Sequence, residues 1–427
     1  MAPTRELLSG LIFALTLLAI VIRPRRLDEG LAAVGGAALM VLVGVVSPAR
    51  ALFTLAAEWN VFLFFLGLML IAAVSDLAGF FDWAGALAAA TAAGSARRLM
   101  VSVFVVGAVI TTFLSNDATA LILTPVVYSI VTRLRLPVLP YLFATTFVAD
   151  TASMTLPISN PVNVIVASRA HISLIAYAPH IFLASAVAIT INLGLFLIVF
   201  RRQTRGRFTL DWRAAMAAAI PEHRLFQVVV ALLVAISAAY VLASATNFPL
   251  GVVAIVGGLT FTLSATAFRT FSWPRIVSHL SPSLFLFIAG LFVLVRGAED
   301  AGLTAMLGGG LTSLVTNPTS AVVAGIVGTS VASNLFNNFP AILVVLSGVH
   351  SSHLAPHLQL PLSLGALAGA DLGPNLTPVG SLSTMLWLLI VRRRGIEVTS
   401  LDYLRLGVLV TPAMLIGAAV LIALTFH

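Results

Sequence analysis

The feature that most constrains this chain is its succession of long apolar runs, which extends over nearly its whole length. A run of about 20 apolar residues is long enough to cross the hydrocarbon core of a bilayer as a helix. Of the 427 residues, 60% are hydrophobic and only 9% are charged, which is far outside the composition of water-soluble domains. The sequence therefore predicts an all-α polytopic membrane protein.

Ten of the apolar runs are expected to cross the bilayer. Two further pairs of runs, at about 98–133 and about 319–350, are each interrupted by polar residues. The arms of the first pair are short and arginines flank both outer ends, which fits a re-entrant hairpin better than two full spans. We therefore expect one re-entrant hairpin in each half. The predicted spans lie at about 7–22, 31–48, 60–78, 141–168, 177–200, 225–243, 251–268, 281–298, 361–390 and 406–425.

Two of these spans, 141–168 and 361–390, are broken by polar residues. Proline, hydroxyl and amide residues in their middle cannot continue a regular helix. They contain the related segments ADTASMTLP and ADLGPNLTP, in which Asp150 and Asp371 lie 221 residues apart. The shared pattern indicates that these two broken helices are related to each other.

The tips of the two hairpins are related as well, because Ser115-Asn116 recurs as Ser333-Asn334 after 218 residues. Matches at nearly one offset predict an internal duplication, with a first repeat at 1–210 and a second at 211–427. Each repeat has five spans and a hairpin that returns to its own side. Since five is an odd number of crossings, the second repeat must be inverted relative to the first.

The basic residues are all arginines and lie mostly between apolar runs, so they report orientation and do not indicate nucleic acid binding. Under this topology, all but four of the 23 basic residues fall on one side, and the four exceptions are Arg5, Arg50, Arg169 and Arg296. Because cytoplasmic loops are enriched in basic residues, we expect the loop 201–224 in the cytoplasm and both termini on the outer side of a plasma (inner) membrane.

Inversion would bring four interrupted elements together near the middle of the bilayer, where irregular backbone must be buried in protein or line a wet cavity. Charged groups at that depth are costly, so their presence suggests function. The elements are the tips Ser115-Asn116-Asp117 and Ser333-Asn334 with Asn337-Asn338, and the broken spans from Asp150 to Asn163, including Asn160, and from Asp371 to Ser381.

The side chains of these elements limit the substrate. They include three carboxylates, of Asp117, Asp150 and Asp371, and no basic side chain nearby in sequence, so an organic anion would lack a partner. A cation or a small neutral polyhydroxy solute fits. Neighbouring buried carboxylates bind protons more readily, which makes these three the predicted proton-coupling residues. No nucleotide-binding glycine loop and no cysteine are present, so the chain is expected to be a transporter without ATPase activity, cofactor or metal.

The stretches LSNDATALILTP, ADTASMTLPISNPVNVIVA, SNLFNNFPAILV and GADLGPNLTPVGSLSTMLWL resemble the ArsB family of arsenite and antimonite efflux permeases, within the ion transporter superfamily. The resemblance covers nearly the whole chain. It implies export of the neutral trihydroxide in exchange for protons, and an arsenite-stimulated ATPase that associates with some members. The site positions that match by resemblance are Asn116, Asp117, Asp150, Asn334, Asn337, Asn338, Asp371, Asn375 and Thr377.

Two other functions stay open. The same carboxylates could bind Na⁺, as in a sodium/proton antiporter of the same superfamily. The chain could also serve mainly to recruit a soluble ATPase through residues 201–224, whose arginines could equally contact anionic lipid. The two repeats differ at one position of the predicted site, because the residue of the second repeat that corresponds to Asp117 is Leu335, which has no carboxylate.

Several polar residues also have structural interpretations. The three aspartates could cap broken helix ends, and Asn337 or Asn338 could hold the second hairpin together. Asp76, Asp82, Glu299 and Asp300 are interpreted as interfacial charges. His350, His353 and His357 resemble a metal cluster, but they lie in an outer loop and are not expected to bind a metal. The glycines at 257–258 and 308–310 are interpreted as helix-packing positions.

Overall fold

The computed structural model describes residues 3–22, 28–170, 172–209, 211–246, 248–268, 271–352 and 354–426. In these ranges every regular element is a helix, and one isolated β-bridge joins Ser95 to Arg207. The predicted all-α fold is therefore confirmed. Some residues used in the sequence interpretation lie outside the described residues: Arg23, Arg25, Arg26 and Arg269, which indicated orientation, and His353 of the histidine group in the outer loop.

The helices of the first half follow the predicted spans, and short helices that the sequence did not predict join some of them. They are α1 (Pro3–Ile22), α2 (Glu29–Leu42), α3 (Pro48–Ala57), α4 (Trp59–Leu77), α5 (Phe80–Thr91), α6 (Ala96–Phe113), α7 (Asn116–Ala118), α8 (Thr124–Arg133), α9 (Val138–Ser153), α10 (Pro161–Arg169) and α11 (Leu174–Val199).

The second half follows the same order. Its helices are α12 (Trp212–Ala219), α13 (His223–Ala245), α14 (Leu250–Ala265), α15 (Trp273–His279), α16 (Pro282–Asp300), α17 (Leu303–Thr312), α18 (Pro318–Phe336), α19 (Asn338–Ser351), α20 (Pro356–Leu372), α21 (Leu382–Arg393) and α22 (Ser400–Leu424). The short helices absent from the prediction are α3, α5, α12, α15 and α17.

Seven helical segments of the described chain are long and apolar enough to cross a membrane. Other predicted spans are shorter helices, and the two broken spans each divide into two helices, so no single helix there reaches the required length. Two of the seven, α6 and α18, are first arms of the predicted hairpins. Many leucines on these helices face outward, as expected of surfaces in contact with lipid. The re-entrant course of the hairpins stays a prediction.

Local sequence explains where the hairpins and broken helices are interrupted. Ser115 is extended between α6 and α7, and its hydroxyl accepts a hydrogen bond from the backbone N–H of Ala118. Asn337, between α18 and α19, has a φ of 84° and a ψ of 150°, a strained conformation that residues with a side chain rarely adopt. Helices α10 and α21, which follow the breaks in the two spans, are N-capped by Asn160 and Ser381, whose side chains accept hydrogen bonds from backbone N–H groups.

The two halves contact each other reciprocally through small residues. A Cβ atom added to Gly67 of α4 would lie 2.1 Å from the backbone carbon of Ala254 in α14. A Cβ atom added to Gly290 of α16 would lie 2.4 Å from the backbone carbon of Ala33 in α2. Ala33 and Ala254 are separated by 221 residues, the same offset as the two aspartates. Membrane helices pack most closely where side chains are small, so these contacts position α4 and α16 beside the site.

The glycines for which packing was expected divide into two groups. Gly257 and Gly258 face side chains or backbone of neighbouring helices, and Gly308 of α17 faces Gly348 of α19 at a Cβ distance of 2.3 Å. Gly309 and Gly310 have nothing within 4 Å, so the packing interpretation holds for only one glycine of that run.

Candidate functional site

The four interrupted elements meet in the folded chain, as predicted. The amide of Asn116, at the first hairpin tip, donates to the Ser383 hydroxyl of α21 at 3.3 Å. The backbone N–H of Asn338, at the second tip, donates to the carbonyl of Gly380 at 2.8 Å, just before α21. The first and second broken helices are joined directly by side-chain hydrogen bonds. The irregular backbone of each half is thus buried against the other half.

Asp150, in the last turn of α9, is 1% exposed and is surrounded by hydroxyl groups of the second half. Ser383 donates to its Oδ1 at 2.9 Å and Thr384 donates to its Oδ2 at 2.8 Å. The Ser381 hydroxyl lies 3.0 and 3.1 Å from the two carboxylate oxygens. Hydrogen bonds to a charged acceptor are stronger than neutral ones, so this pocket is built to hold a carboxylate without a cation.

Asp371, in α20, is also 1% exposed, and its partners come from the first half. The Asn160 amide donates to Oδ1 at 2.6 Å, and the Ser153 hydroxyl lies 2.8 Å from the same oxygen. Oδ2 has no hydrogen-bond partner among the described residues. Asp371 is therefore held by fewer hydrogen bonds than Asp150, although both of its oxygens are buried.

A cavity of 840 Å³ leads to this constellation from one face of the molecule. Its outer part is lined by Arg392, Arg393 and the half-buried His279. Its inner part reaches Ser115 and Asp117 of the first hairpin tip. The cavity thus connects the face that carries most arginines, called here the arginine-rich face, to the interrupted helices.

A smaller cavity of 20 Å³ lies next to Asp117. Its polar lining consists of four amides, one hydroxyl and one carboxylate: Asn116, Asn160, Asn337, Asn338, Ser383 and Asp117. The remaining lining residues are apolar or proline, and none of the described lining residues is basic. Such a lining can donate and accept hydrogen bonds but offers no positive charge to an anion.

Four of the predicted binding residues lie away from this inner cavity. Asn334 donates to the carbonyls of Ser330 and Gly373, both at 2.8 Å, and accepts from Thr377 at 2.8 Å. Asn375 donates to Thr151 at 3.3 Å, and the buried Ser333 hydroxyl has no partner among the described residues. Asn334 and Thr377 thus join the second hairpin to the second broken helix, whereas Asn375 joins the two broken helices to each other.

The inner cavity is closed toward the opposite, arginine-poor face by aromatic rings. Phe65 and Phe339 line the cavity and their centroids lie 6.3 Å apart. Phe339 contacts Phe292 at 6.1 Å, and the Arg169 guanidinium lies 5.9 Å from the Phe292 ring centroid. Arg169, at the end of α10, pairs with Glu58 at the start of α4 at 2.6 Å. This ion pair lies beyond the aromatic rings, at the end of α4 remote from the arginine-rich face.

The charges interpreted as interfacial are partly engaged in ion pairs. Asp300 contacts Arg50 at 3.1 Å and Arg296 at 3.0 Å, and Glu299 contacts Arg296 at 3.2 Å. Asp76 lies 3.3 Å from His279. Asp82 is solvent-exposed. In the described part of the chain, no group of three His, Cys, Asp or Glu side chains could hold a metal, and His350 and His357 are exposed.

Several hydroxyl residues of the site were not predicted from the sequence. Ser153, Ser381, Ser383 and Thr384 all contact one of the two buried aspartates. The signal that could have identified one of them was the repeat offset, because Ser381 follows Asn160 by 221 residues. The others are isolated hydroxyl residues in helices, where such side chains often bond only to their own backbone.

Comparisons with known proteins agree with this fold. The sequence pattern of the ArsB family, described as "Arsenical pump membrane protein", matches residues 8–425. The chain is 28% identical to the arsenical pump membrane protein of Escherichia coli K12, over 97% of this chain and 98% of that one. It is 29% identical to that of Yersinia enterocolitica over the same shares. A putative arsenical pump membrane protein of Bacillus subtilis is 27% identical over 94% and 96% of the two chains.

The fold also resembles a solved transporter structure. The crystal structure of the YdaH transporter of Alcanivorax borkumensis, whose topology is described as unusual, matches with a TM-score of 0.59 over 98% of both chains. At 14% identity, that likeness concerns the fold alone. The family pattern and the curated relatives extend over nearly the whole sequence and show an arsenical transporter embedded in a membrane. The chain therefore belongs to the arsenical pump membrane protein family.

Proposed function

We propose that this protein exports arsenite or antimonite, as the neutral trihydroxide, in exchange for protons. The observation that carries the proposal is the lining of the inner cavity, where four amides, one hydroxyl and Asp117 lie together without any described basic side chain. At 20 Å³ the cavity has room for about one water, so the trihydroxide is proposed to bind when these elements move apart. A trihydroxide offers three O–H donors and oxygen acceptors, which amide and carboxylate groups complement. Hydrogen bonds of this kind are reversible, as release on the far side requires.

The proton is proposed to bind at the buried carboxylates Asp150 and Asp371, with Asp117 nearest the substrate. Each of the first two accepts hydrogen bonds from the opposite half of the chain. A displacement between the halves would therefore change the donors around each carboxylate. Because such donors stabilise the charged form, the displacement would change the affinity for a proton and couple it to the movement.

The proposal includes the topology predicted from the sequence. Residues 1–210 and 211–427 form two inverted repeats, each with one re-entrant hairpin, in a plasma (inner) membrane. The reciprocal contacts of Gly67 and Gly290 support two related halves. The arginine-rich face is cytoplasmic and both termini are outside, so the cavity beside Arg392 opens to the cytoplasm and the Glu58–Arg169 pair closes the outer side.

Purified protein in sealed vesicles tests the function directly. Under an imposed pH gradient, we expect arsenite or antimonite flux accompanied by opposite proton flux, without ATP. Proton flux that responds to Na⁺ and not to arsenite would instead assign a sodium/proton antiporter, with Asp150 and its three hydroxyl neighbours as oxygen ligands. Absence of flux unless an arsenite-stimulated ATPase is added would indicate that recruitment of that partner is the main task.

A further inference from the structure

A groove of 1180 Å³ lies on the arginine-rich face, away from the cavity that leads to the site. It is formed by the end of α5, the turn between α8 and α9, and the segment that follows α11. Three arginines line it: Arg133, Arg135 and Arg207. No described lining residue is acidic. The groove is therefore a concave and uniformly basic surface.

The framework of the groove is fixed by backbone contacts. The N–H of Ala96 donates to the carbonyl of Gly206, and the N–H of Phe208 donates to the carbonyl of Gly94, both at 3.0 Å. These bonds hold Arg207 beside the start of α6. Arg135 has a φ of 54°, a left-handed conformation that is costly for a residue with a side chain. The three guanidinium groups thus project from segments of defined backbone geometry.

The three arginines are exposed and form no ion pair with a described carboxylate. The carboxylate of Asp82 attracts Arg133 through space and offsets part of its charge. The remaining repulsion between the three guanidinium groups is relieved when an anion enters the groove. A guanidinium group presents a planar fork of N–H donors that matches phosphate oxygens in two-point contact. The charge and geometry of the groove therefore favour a phosphate group.

The position of the groove indicates the source of the phosphate. Helices α6 and α11, both long enough to cross a membrane, begin and end beside it, so it lies level with the ends of spans. Leu134, Leu136 and Phe208 form an apolar wall next to the arginines. A lipid headgroup brings a phosphate and adjoining apolar chain to this level. We propose that the groove binds the headgroup of an anionic phospholipid.

The test compares lipid association of two charge-matched variants of the full-length protein in phosphatidylcholine vesicles. The groove variant carries Arg133→Gln, Arg135→Gln and Arg207→Gln. The control carries Arg201→Gln, Arg202→Gln and Arg205→Gln, which remove the same charge from exposed residues that do not line the groove. Association of spin-labelled phosphatidylglycerol relative to spin-labelled phosphatidylcholine is measured for each.

We expect the preference of the groove variant for phosphatidylglycerol to fall at least about fivefold, which is the contribution of roughly one arginine near an anionic surface. The preference of the control variant should fall less than about twofold. Equal losses would overturn the proposal, because they would show general attraction between arginines and an anionic bilayer. An unchanged lipid preference with loss of binding to an acidic protein would also overturn it and assign the groove to a protein partner.

A single substitution addresses the case in which the triple variant does not fold. Gln203→Glu places a carboxylate in the groove at an exposed position, and it should repel a phosphate while leaving the helices intact. The same fall in phosphatidylglycerol preference is expected for this variant. A preference equal to that of the unmodified protein would contradict the proposed site. Neither measurement involves transport, so the outcome is independent of the proposed function.

Discussion

The side-chain amide of Asn160 donates a 2.6 Å hydrogen bond to Asp371, which lies 211 residues later in the other half of the chain. Ser381, which follows Asn160 by 221 residues, contacts Asp150 of the first half in the same way. Each buried aspartate is thus held by a helix-capping residue of the opposite half. This reciprocity gives a physical route by which relative movement of the halves could change the binding of a proton.

Asn160→Ala and Ser381→Ala should each slow proton-coupled transport at neutral pH. Removing one hydrogen-bond donor destabilises the charged carboxylate by about 1.5–3 kcal/mol, which lowers the equilibrium constant for releasing its proton about tenfold or more. Raising the pH favours the deprotonated form and should restore part of the rate. Flux in vesicles as a function of pH measures the effect. Thr190→Ala is the matched control, because the Thr190 hydroxyl donates to the Ala186 carbonyl within α11. This variant should show the same dependence of flux on pH as the unmodified protein.

Asp150→Asn and Asp371→Asn should abolish coupled export while leaving the protein folded. An amide matches the size of the carboxylate but cannot release a proton, and the hydroxyls around Asp150 can rotate to donate or accept. Proton flux driven by a substrate gradient measures coupling, and size-exclusion chromatography with thermal unfolding monitors the fold. Near-normal transport by both variants would show that the two aspartates serve only as structural caps.

Reversal of the ion pair between Glu58 and Arg169 should test closure of the arginine-poor face. Glu58→Arg or Arg169→Glu alone places like charges at the pair, and the loss of an attraction of about 1 kcal/mol should reduce transport several-fold. The double variant restores the attraction and should recover most of the flux. Arg50→Gln, which removes the exposed partner of Asp300 on the same face while Asp300 keeps Arg296, is the control and should have little effect.

The rate at which a cysteine on the arginine-poor face reacts with a reagent from solution gives an independent measure of how far that face is closed. The chain has no cysteine, so a single Phe62→Cys substitution provides one label site beside Phe292. A membrane-impermeant maleimide should label it faster in Arg169→Glu than in the charge-exchanged double variant. Equal labelling rates in the two backgrounds would show that the ion pair does not close this face.

Gly325→Ala should destabilise the contact between α18 and α20. A Cβ atom at this position would lie 2.4 Å from the Leu362 carbonyl oxygen, and overpacking of a well-packed interface costs about 1–3 kcal/mol. The midpoint of thermal unfolding in detergent should fall by several degrees. Gly309→Ala in α17 has nothing within 4 Å, so its unfolding temperature should be unchanged or slightly higher because alanine favours the helix.

Apolar periodicity and interrupting residues were sufficient to predict much of the architecture. The interruptions within 98–133, 141–168 and 361–390 were located within a few residues, because proline and capping residues act locally on the backbone. The short helices α3, α5, α12, α15 and α17 were missed, since segments of 7 to 12 residues give a weak periodic signal and depend on packing. The inversion of the second half stays a prediction.

The apolar runs and the residues that interrupt them are enough to predict that the chain is helical, where its helices break, and which carboxylates lie among apolar residues. The partners of those carboxylates depend on tertiary packing. The hydroxyls of Ser383 and Thr384 reach Asp150 across more than 230 residues, whereas Asn334 and Thr377 bind each other away from the inner cavity. Hydrogen bonds between distant segments depend on how the helices pack, and no local pattern encodes that distance or direction.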